Sequence, residues 1–240
     1  MSKSTKIIYA ITYLLIFSML FILLYKLSDK SSADKTESDV SGVNINEHID
    51  NEWALFLVNG FNPLPKDFSV QTAPVYNEYQ LDSRIAPYLI LLLNAAEVDA
   101  IKLNVISAYR TREYQHKLFS DSVLEYMSEG MTFIEATSAT SRSIAPAGTS
   151  EHNAGVAVDI VSMDWFVDRE HLTSDFDETD EFAWLKENSY KYGFIMRYPE
   201  DKTDITQIIY EPWHYRFVGV YHATKITEQG ICLEEYMKQL

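Results

Sequence analysis

Cysteine is all but missing from this 240-residue chain, Cys232 being its only one. A single thiol excludes an internal disulfide framework, a cysteine-based zinc finger and a CxxC redox site. Basic residues are scarce too, 20 Lys and Arg against 35 Asp and Glu, for a formal net charge of -15. Nucleic-acid backbones are held by Lys and Arg that neutralise phosphates, so no nucleic-acid partner is expected. Disorder is excluded by what is present: 47% apolar and 13% aromatic residues give enough apolar surface to offset ordering entropy. The length is that of one or two domains.

The few basic residues are unevenly placed. Residues 1–27 carry Lys3, Lys6 and Lys26 and no acid, a local charge of +3, which leaves the remainder at -18. From Ile7 to Tyr25 nineteen residues run without a charge. As a helix rising about 1.5 Å per residue this stretch matches the bilayer's hydrocarbon thickness, and Tyr9, Tyr13 and Tyr25 sit near its ends, where aromatic rings favour the interface. A cleaved signal peptide would have a shorter apolar run and a small-residue cleavage site. The run ends instead in Tyr25-Lys26-Leu27-Ser28-Asp29, and no Cys follows for a lipid anchor. The reading is an uncleaved single-pass anchor over 1–27, a Ser- and Asp-rich flexible tether over 28–47, and one folded domain over 48–240. A short basic N-terminus before a large acidic domain implies an extracellular domain, although Lys26, Lys30 and Lys35 compete in setting that orientation.

Within the folded part, apolar residues at helical spacing predict a core-facing helix over Leu81–Val98, and a second helix is read over Arg112–Met127. Thr132 with Glu135 has the spacing of a capping box opening a third helix. Asp180–Tyr192 is read as a helix stopped by Gly193. Strands are expected over 102–109, 155–162, 194–198 and 214–218. Helices come early and short strands late, without βαβ alternation, so the fold class is α+β: a small antiparallel sheet with flanking helices. Ser162–Glu181 holds eight acids against one base. It reads as a solvated loop, since the acids lack the spacing and glycine of an EF-hand.

Two histidines lie in unusual company. His152 follows a Gly-containing loop, and seven residues later Asp159 interrupts an apolar strand between Val158 and Ile160. A lone carboxylate is costly to bury there unless paired or bound to a metal. The second cluster is Glu211-Pro212-Trp213-His214, where Pro212 favours the bend that would turn Glu211 and His214 toward one centre. Together these supply two imidazoles and one carboxylate, leaving a fourth position for water, as catalytic zinc sites do. Glu211 is then spare to act as general base. Arg110, in Ser107-Ala108-Tyr109-Arg110 at a strand end, is either a surface ion-pairing residue or a fixed cation for an oxyanion.

These segments resemble the zinc-dependent D-alanyl-D-alanine carboxypeptidases of the vancomycin-resistance type, which trim peptidoglycan stem peptides. Their Ser-x-His-(x)6-Asp, Glu-x-x-His and Ser-Gly-Tyr-Arg motifs correspond to Ser150/His152/Asp159, Glu211/His214 and Ser107–Arg110. Leu57-Val58-Asn59, Glu113-Tyr114-Gln115, Phe182–Tyr198, Glu211–Gly219 and Leu233–Tyr236 also fit, so the resemblance covers nearly the whole folded part. Ala108, Ala147 and Asn153-Ala154 depart from the usual residues, and none of them is itself a ligand, the base or the arginine. The resemblance implies one zinc ion on His152, Asp159 and His214. Glu211 would deprotonate the bound water and pass the proton to the leaving D-alanine, and Arg110 would stabilise the oxyanion. Ser150, Tyr109, Gln115, Ser107 and Trp213 would hold or shape the substrate site. The partners implied are stem peptides ending in D-alanine, acted on outside the bacterial cell membrane. An L,D-carboxypeptidase acting on tetrapeptide stems would use the same residues, and a non-catalytic wall-binding module is the alternative of a different class. His48, His116, His171 and His222 read as structural or solvated, and Cys232 as a buried apolar group.

Overall fold

A computed structural model describes residues 51–167 and 172–240. The anchor over 1–27, the tether over 28–47, His48 and His171 all lie outside the described residues. Among the described residues no helix is long and apolar enough to cross a membrane.

The chain first forms a hairpin of β1 (Thr72–Tyr76) and β2 (Tyr79–Asp82), turned at Asn77 with φ 48°, a conformation Asn tolerates better than most residues. Helix α1 then runs over Ala86–Val98 with Pro87 in its first turn, where proline's missing N–H is no loss. The helix was expected to begin at Leu81. Instead Asp82 accepts from the backbone N–H of Arg84 and pairs with its guanidinium, turning the chain between strand and helix. Leu81 and Ile85 are buried all the same, so apolar spacing found the core positions while the backbone beneath them changed type.

After β3 (Leu103–Ser107) come α2 (Arg112–Ser128) and α3 (Phe133–Thr140). Thr111 caps α2 by accepting from the Tyr114 N–H, and the expected Thr132/Glu135 capping box opens α3. Strand β4 (Ala157–Ser162) is buried at every position, which explains its unbroken run of small and β-branched residues apart from Asp159. Short helix α4 (Met163–Val167) follows, then α5 (Asp180–Asn188), whose expected extension to Tyr192 tightens into a 3-10 turn. Gly193 ends that turn at φ 85°, and a Cβ there would lie 2.6 Å from the Phe217 ring.

Strand β5 (Phe194–Met196), helix α6 (Thr203–Thr206) and strand β6 (His214–Phe217) precede α7 (Val220–Gln229) and α8 (Leu233–Met237). The four longer-range strands form one antiparallel sheet in the order β3-β4-β6-β5. The α+β expectation therefore holds, with the β1–β2 hairpin and the last two helices as additions. Ile195 and Val218 pack on Ala223, Ile226, Leu233 and Tyr236 of α7 and α8, each full burial of a large apolar side chain contributing about 1.5–3 kcal/mol. The middle strands, β4 and β6, have their backbones paired on both sides. This is the rigid platform on which the site stands.

Candidate metal centre

Sheet register brings two of the candidate ligands together. Asp159 on β4 is paired directly across from His214 on β6, and across its other edge from Ser107 on β3. His152 sits on a single 3-10 turn (Glu151–Ala154) that Gly155 ends at φ 70° before the chain enters β4. That turn is tied to the segment following β3 by the Arg110 N–H, which donates to the His152 carbonyl. Pro212 and Trp213 make the expected bend, closed by the His214 N–H donating to the Glu211 carbonyl at 3.1 Å.

The donor atoms of His152, Asp159 and His214 lie within 4.8 Å of one another, and all three residues are buried. His152 Nδ1–H donates to the Ala108 carbonyl at 2.7 Å, which leaves the Nε2 lone pair facing Asp159 Oδ2 at 3.3 Å. His214 has a carboxylate on each ring nitrogen: Nε2 lies 3.4 Å from Glu151 Oε2, and Nδ1 lies 3.2 Å from Asp159 Oδ1. Although close to Nδ1, Asp159 Oδ1 is buried without a hydrogen-bond partner. Distance and bonding disagree here, and the chemistry reconciles them. With Nε2–H directed at Glu151, Nδ1 and Oδ1 are two electron pairs facing each other, an arrangement that a shared cation satisfies.

The electrostatics of the side chains fit that view. Burial, with the Arg110 charge, drives His152 down to about 4, so it is a neutral imidazole. Burial pushes His214 the same way, but the Asp159 and Glu151 carboxylates outweigh it and raise the ring to about 9. The ring thus wants positive charge at Nδ1, from a proton or from a metal. Asp159 is held well below the usual carboxylate range, since His152, His214 and Arg110 overcome its burial. Two imidazoles and a carboxylate are a donor set suited to zinc. Glu211 Oε2 stands 3.8 Å from His214 Nδ1. Chiefly through burial, its carboxyl is raised to about 8.

Arg110, expected to face an oxyanion, also braces a ligand. Its Nη2 donates to Asp159 Oδ2 at 2.7 Å, Nε to Ser107 Oγ at 2.7 Å and Nη1 to Gln115 Oε1 at 3.4 Å. Gln115 in turn donates to the Ala145 carbonyl. A cavity of about 480 Å³ opens on the cluster, lined among others by Arg110, Gln115, Ser150, Glu211 and Trp213. Ser107 and Tyr109 are not among its lining residues; Ser107 orients Arg110 instead. A second cavity of about 470 Å³ shares Ala145, Tyr198 and Ile208 with the first. Asn153, where the family pattern differs, has a clear local use: it accepts from the Gly148 N–H and donates to the Arg110 carbonyl, pinning the preceding loop to the arginine. His116 is exposed, His222 Nδ1 bonds the Tyr236 hydroxyl, and Cys232 is buried.

Sequence reasoning missed a buried charge network behind His214. Glu151 Oε1 accepts from Arg197 Nε at 2.8 Å and Arg216 Nη1 at 2.7 Å. Arg197 also makes a two-pronged contact with Glu234, at 2.8 and 2.6 Å. Arg216 donates from Nη2 to the carbonyls of Ala54 and Phe56 and from Nε to that of Phe217. The two guanidiniums overcome the burial of Glu151 and keep it ionised far below the ordinary range. Tyr198, packed 4.8 Å from the His214 ring, was missed as well. The signal was available: Arg197 and Arg216 sit in or beside apolar strands, as Asp159 does.

A family model described as VanY, D-alanyl-D-alanine carboxypeptidase, matches residues 78–220. A D-alanyl-D-alanine carboxypeptidase of Enterococcus faecalis is 45% identical over 186 residues, covering 78% of this chain and 66% of that protein, so the chain spans just under two thirds of the relative's length. The solved structure of VanYB in complex with D-alanine-D-alanine is 44% identical, with a TM-score of 0.70 over 78% of this chain and 98% of that one. A zinc(II) complex of a VanY D,D-pentapeptidase variant from a VanB-type cassette is 45% identical, with a TM-score of 0.68 over 77% and 99%. The matched span runs from β2 through β6 and holds Arg110, His152, Asp159, Glu211 and His214; the chain belongs to the VanY family of D-alanyl-D-alanine carboxypeptidases.

Proposed function

We propose that this chain is a zinc-dependent carboxypeptidase that removes the terminal D-alanine from peptidoglycan stem peptides. The observation that carries the reading is the buried His152–Asp159–His214 cluster with the Glu211 carboxyl beside it, 3.8 Å from His214, and a cavity opening on both. One zinc ion held by those three residues would supply Lewis acidity, easing ionisation of water and polarising the scissile carbonyl.

The chain's own residues then do the following. Glu211 takes a proton from the attacking water at its carboxylate, and the oxygen adds to the carbonyl carbon of the penultimate residue. Arg110 stabilises the negative charge that develops on the carbonyl oxygen, while its bond to Asp159 keeps the guanidinium in place. Glu211 returns the proton to the leaving amine nitrogen as the C–N bond breaks, releasing D-alanine and a shortened peptide carboxylate. A buried carboxyl with a raised affinity for protons suits this two-way transfer. Ser150, Gln115 and Trp213 line the cavity and contact the substrate. Residues 1–27 anchor the enzyme in the bacterial membrane, 28–47 tether it, and the domain over 48–240 works on the outer side.

The test is to incubate the zinc-loaded protein with pentapeptide and tetrapeptide stems. The expected result is D-alanine released from the pentapeptide and not from the tetrapeptide. Release from the tetrapeptide alone would make the chain an L,D-carboxypeptidase. Release from neither, with zinc bound, would leave a wall-binding module.

A further inference from the structure

Glu151 stands outside the ligand set and outside the cavity lining, yet it is almost wholly buried and its two oxygens face different partners. Oε1 is saturated by Arg197 and Arg216, at 2.8 and 2.7 Å. Oε2 is thereby left for one contact, His214 Nε2 at 3.4 Å. Both arginines are fixed elsewhere: Arg197 by the two oxygens of Glu234 on α8, Arg216 by three backbone carbonyls. The arrangement does not swivel, because rotating the Glu151 carboxylate would strip two buried guanidiniums of their acceptor, and breaking such a pair costs about 3–5 kcal/mol.

We infer that Glu151 is a positioning residue of the metal centre, locking the His214 ring with its proton on Nε2 and its free electron pair on Nδ1, aimed at the site shared with Asp159 and His152. The chemistry is that of a carboxylate behind a metal-binding imidazole: the outer acceptor decides which nitrogen is the ligand. His152 has the complementary device, with a backbone carbonyl on Nδ1 that leaves Nε2 to bind. The two imidazoles therefore bind through different nitrogens, each chosen by its partner behind. Arg197, Arg216 and Glu234 act one step further out, by holding the carboxylate still. The C-terminal helix α8, beyond the span of the family match, thus reaches the metal centre through Glu234 and Arg197.

This inference rests on the reading of His152, Asp159 and His214 as a metal site, and the experiment separates the two. Glu151→Gln replaces one acceptor oxygen by an NH2 group. With the amide oxygen held by the arginines, the NH2 faces Nε2 and forces that nitrogen to accept, which puts the ring proton on Nδ1. Zinc affinity, measured by competition with a fluorescent chelator, should fall roughly 10- to 100-fold, while turnover at saturating zinc recovers. In parallel, long-range 1H–15N correlation spectra of the zinc-loaded parent should show His214 protonated at Nε2 and bound through Nδ1.

Gly193→Ala is the control: it lowers the melting temperature through positive φ and the Phe217 contact, and should leave zinc affinity at the parental value. Glu151→Asp, which keeps the charge but withdraws the oxygen from Nε2, should weaken zinc binding as Gln does, and serves should the Gln variant not fold. Parental zinc affinity in the Glu151 variants, or a His214 ring bound through Nε2, overturns the role of Glu151 alone. A parent protein that binds no zinc overturns the metal reading and this inference with it.

Discussion

Glu211→Gln should keep its zinc and lose its turnover. The substitution leaves the His152, Asp159 and His214 donors untouched, so metal content measured on the purified variant should match the parent. Gln is nearly the same size and fills the same buried space, but its amide neither takes a proton from water nor returns one to the leaving amine. General acid–base catalysis of this kind contributes about 10²- to 10⁴-fold, so D-alanine release should fall by that factor at saturating substrate and zinc. Parental turnover in a zinc-loaded Glu211→Gln protein would remove Glu211 from the chemistry and send the search for a base elsewhere. The contrast with Glu151→Gln is diagnostic. One carboxylate is needed at the reacting bond, and its loss is not rescued by metal; the other only aims a ligand, and excess metal restores the rate.

Asp159→Asn should lose turnover by another route: it should hold no stable zinc. Asp159 is the only anionic donor of the three and touches both imidazoles and Arg110. Removing one partner of a buried charge contact costs about 3–5 kcal/mol, roughly two to four orders of magnitude in affinity at 1.4 kcal/mol per factor of ten. The measurement is the shift in melting temperature on adding zinc. A ligand that binds only the folded state raises stability by mass action, so the parent should gain and the Asn variant should not. Chelation of the parent should abolish D-alanine release and zinc should restore it, a recovery the variant lacks. A parental zinc-dependent shift in Asp159→Asn would break the assignment of Asp159 as a ligand.

The groups around the cluster were legible in the sequence to unequal degrees. Asp159 stood out because a carboxylate among valines and isoleucines needs a reason, and Glu211 and His214 because Pro212 bends the chain between them. The two capping residues of the early helices, Thr111 and Thr132, follow local rules, and the Thr132 box was readable from its spacing. What local pattern did not reveal were the pairings across the chain. Glu151 lies 46 residues from Arg197 and 65 from Arg216, and Arg197 lies 37 from Glu234; no periodicity links them. The helix start at Leu81 was misplaced for a related reason. Apolar spacing reports burial, and Leu81 and Ile85 are buried in a strand and a turn as fully as they would be in a helix. Ser107 shows the same limit at the level of a single side chain: its motif does not reveal that its hydroxyl oxygen accepts from Arg110 Nε.

The pairing of Asp159 with His214 across β4 and β6 has a consequence for how the spacing of the two side chains is held. Both residues lie on the two middle strands, paired at the end of their ladder, so the separation of their backbones is set by the hydrogen bonds between those strands. His152 is carried on one short turn outside the sheet, tied to Ala108 and Arg110 and held on either side by the pairs of Glu151 with Arg197 and Arg216 and by the bonds of Asn153. Asp159 and His214 thus form a two-pronged seat whose spacing the backbone sets, and His152 completes the cluster from a turn that its two neighbours tie down.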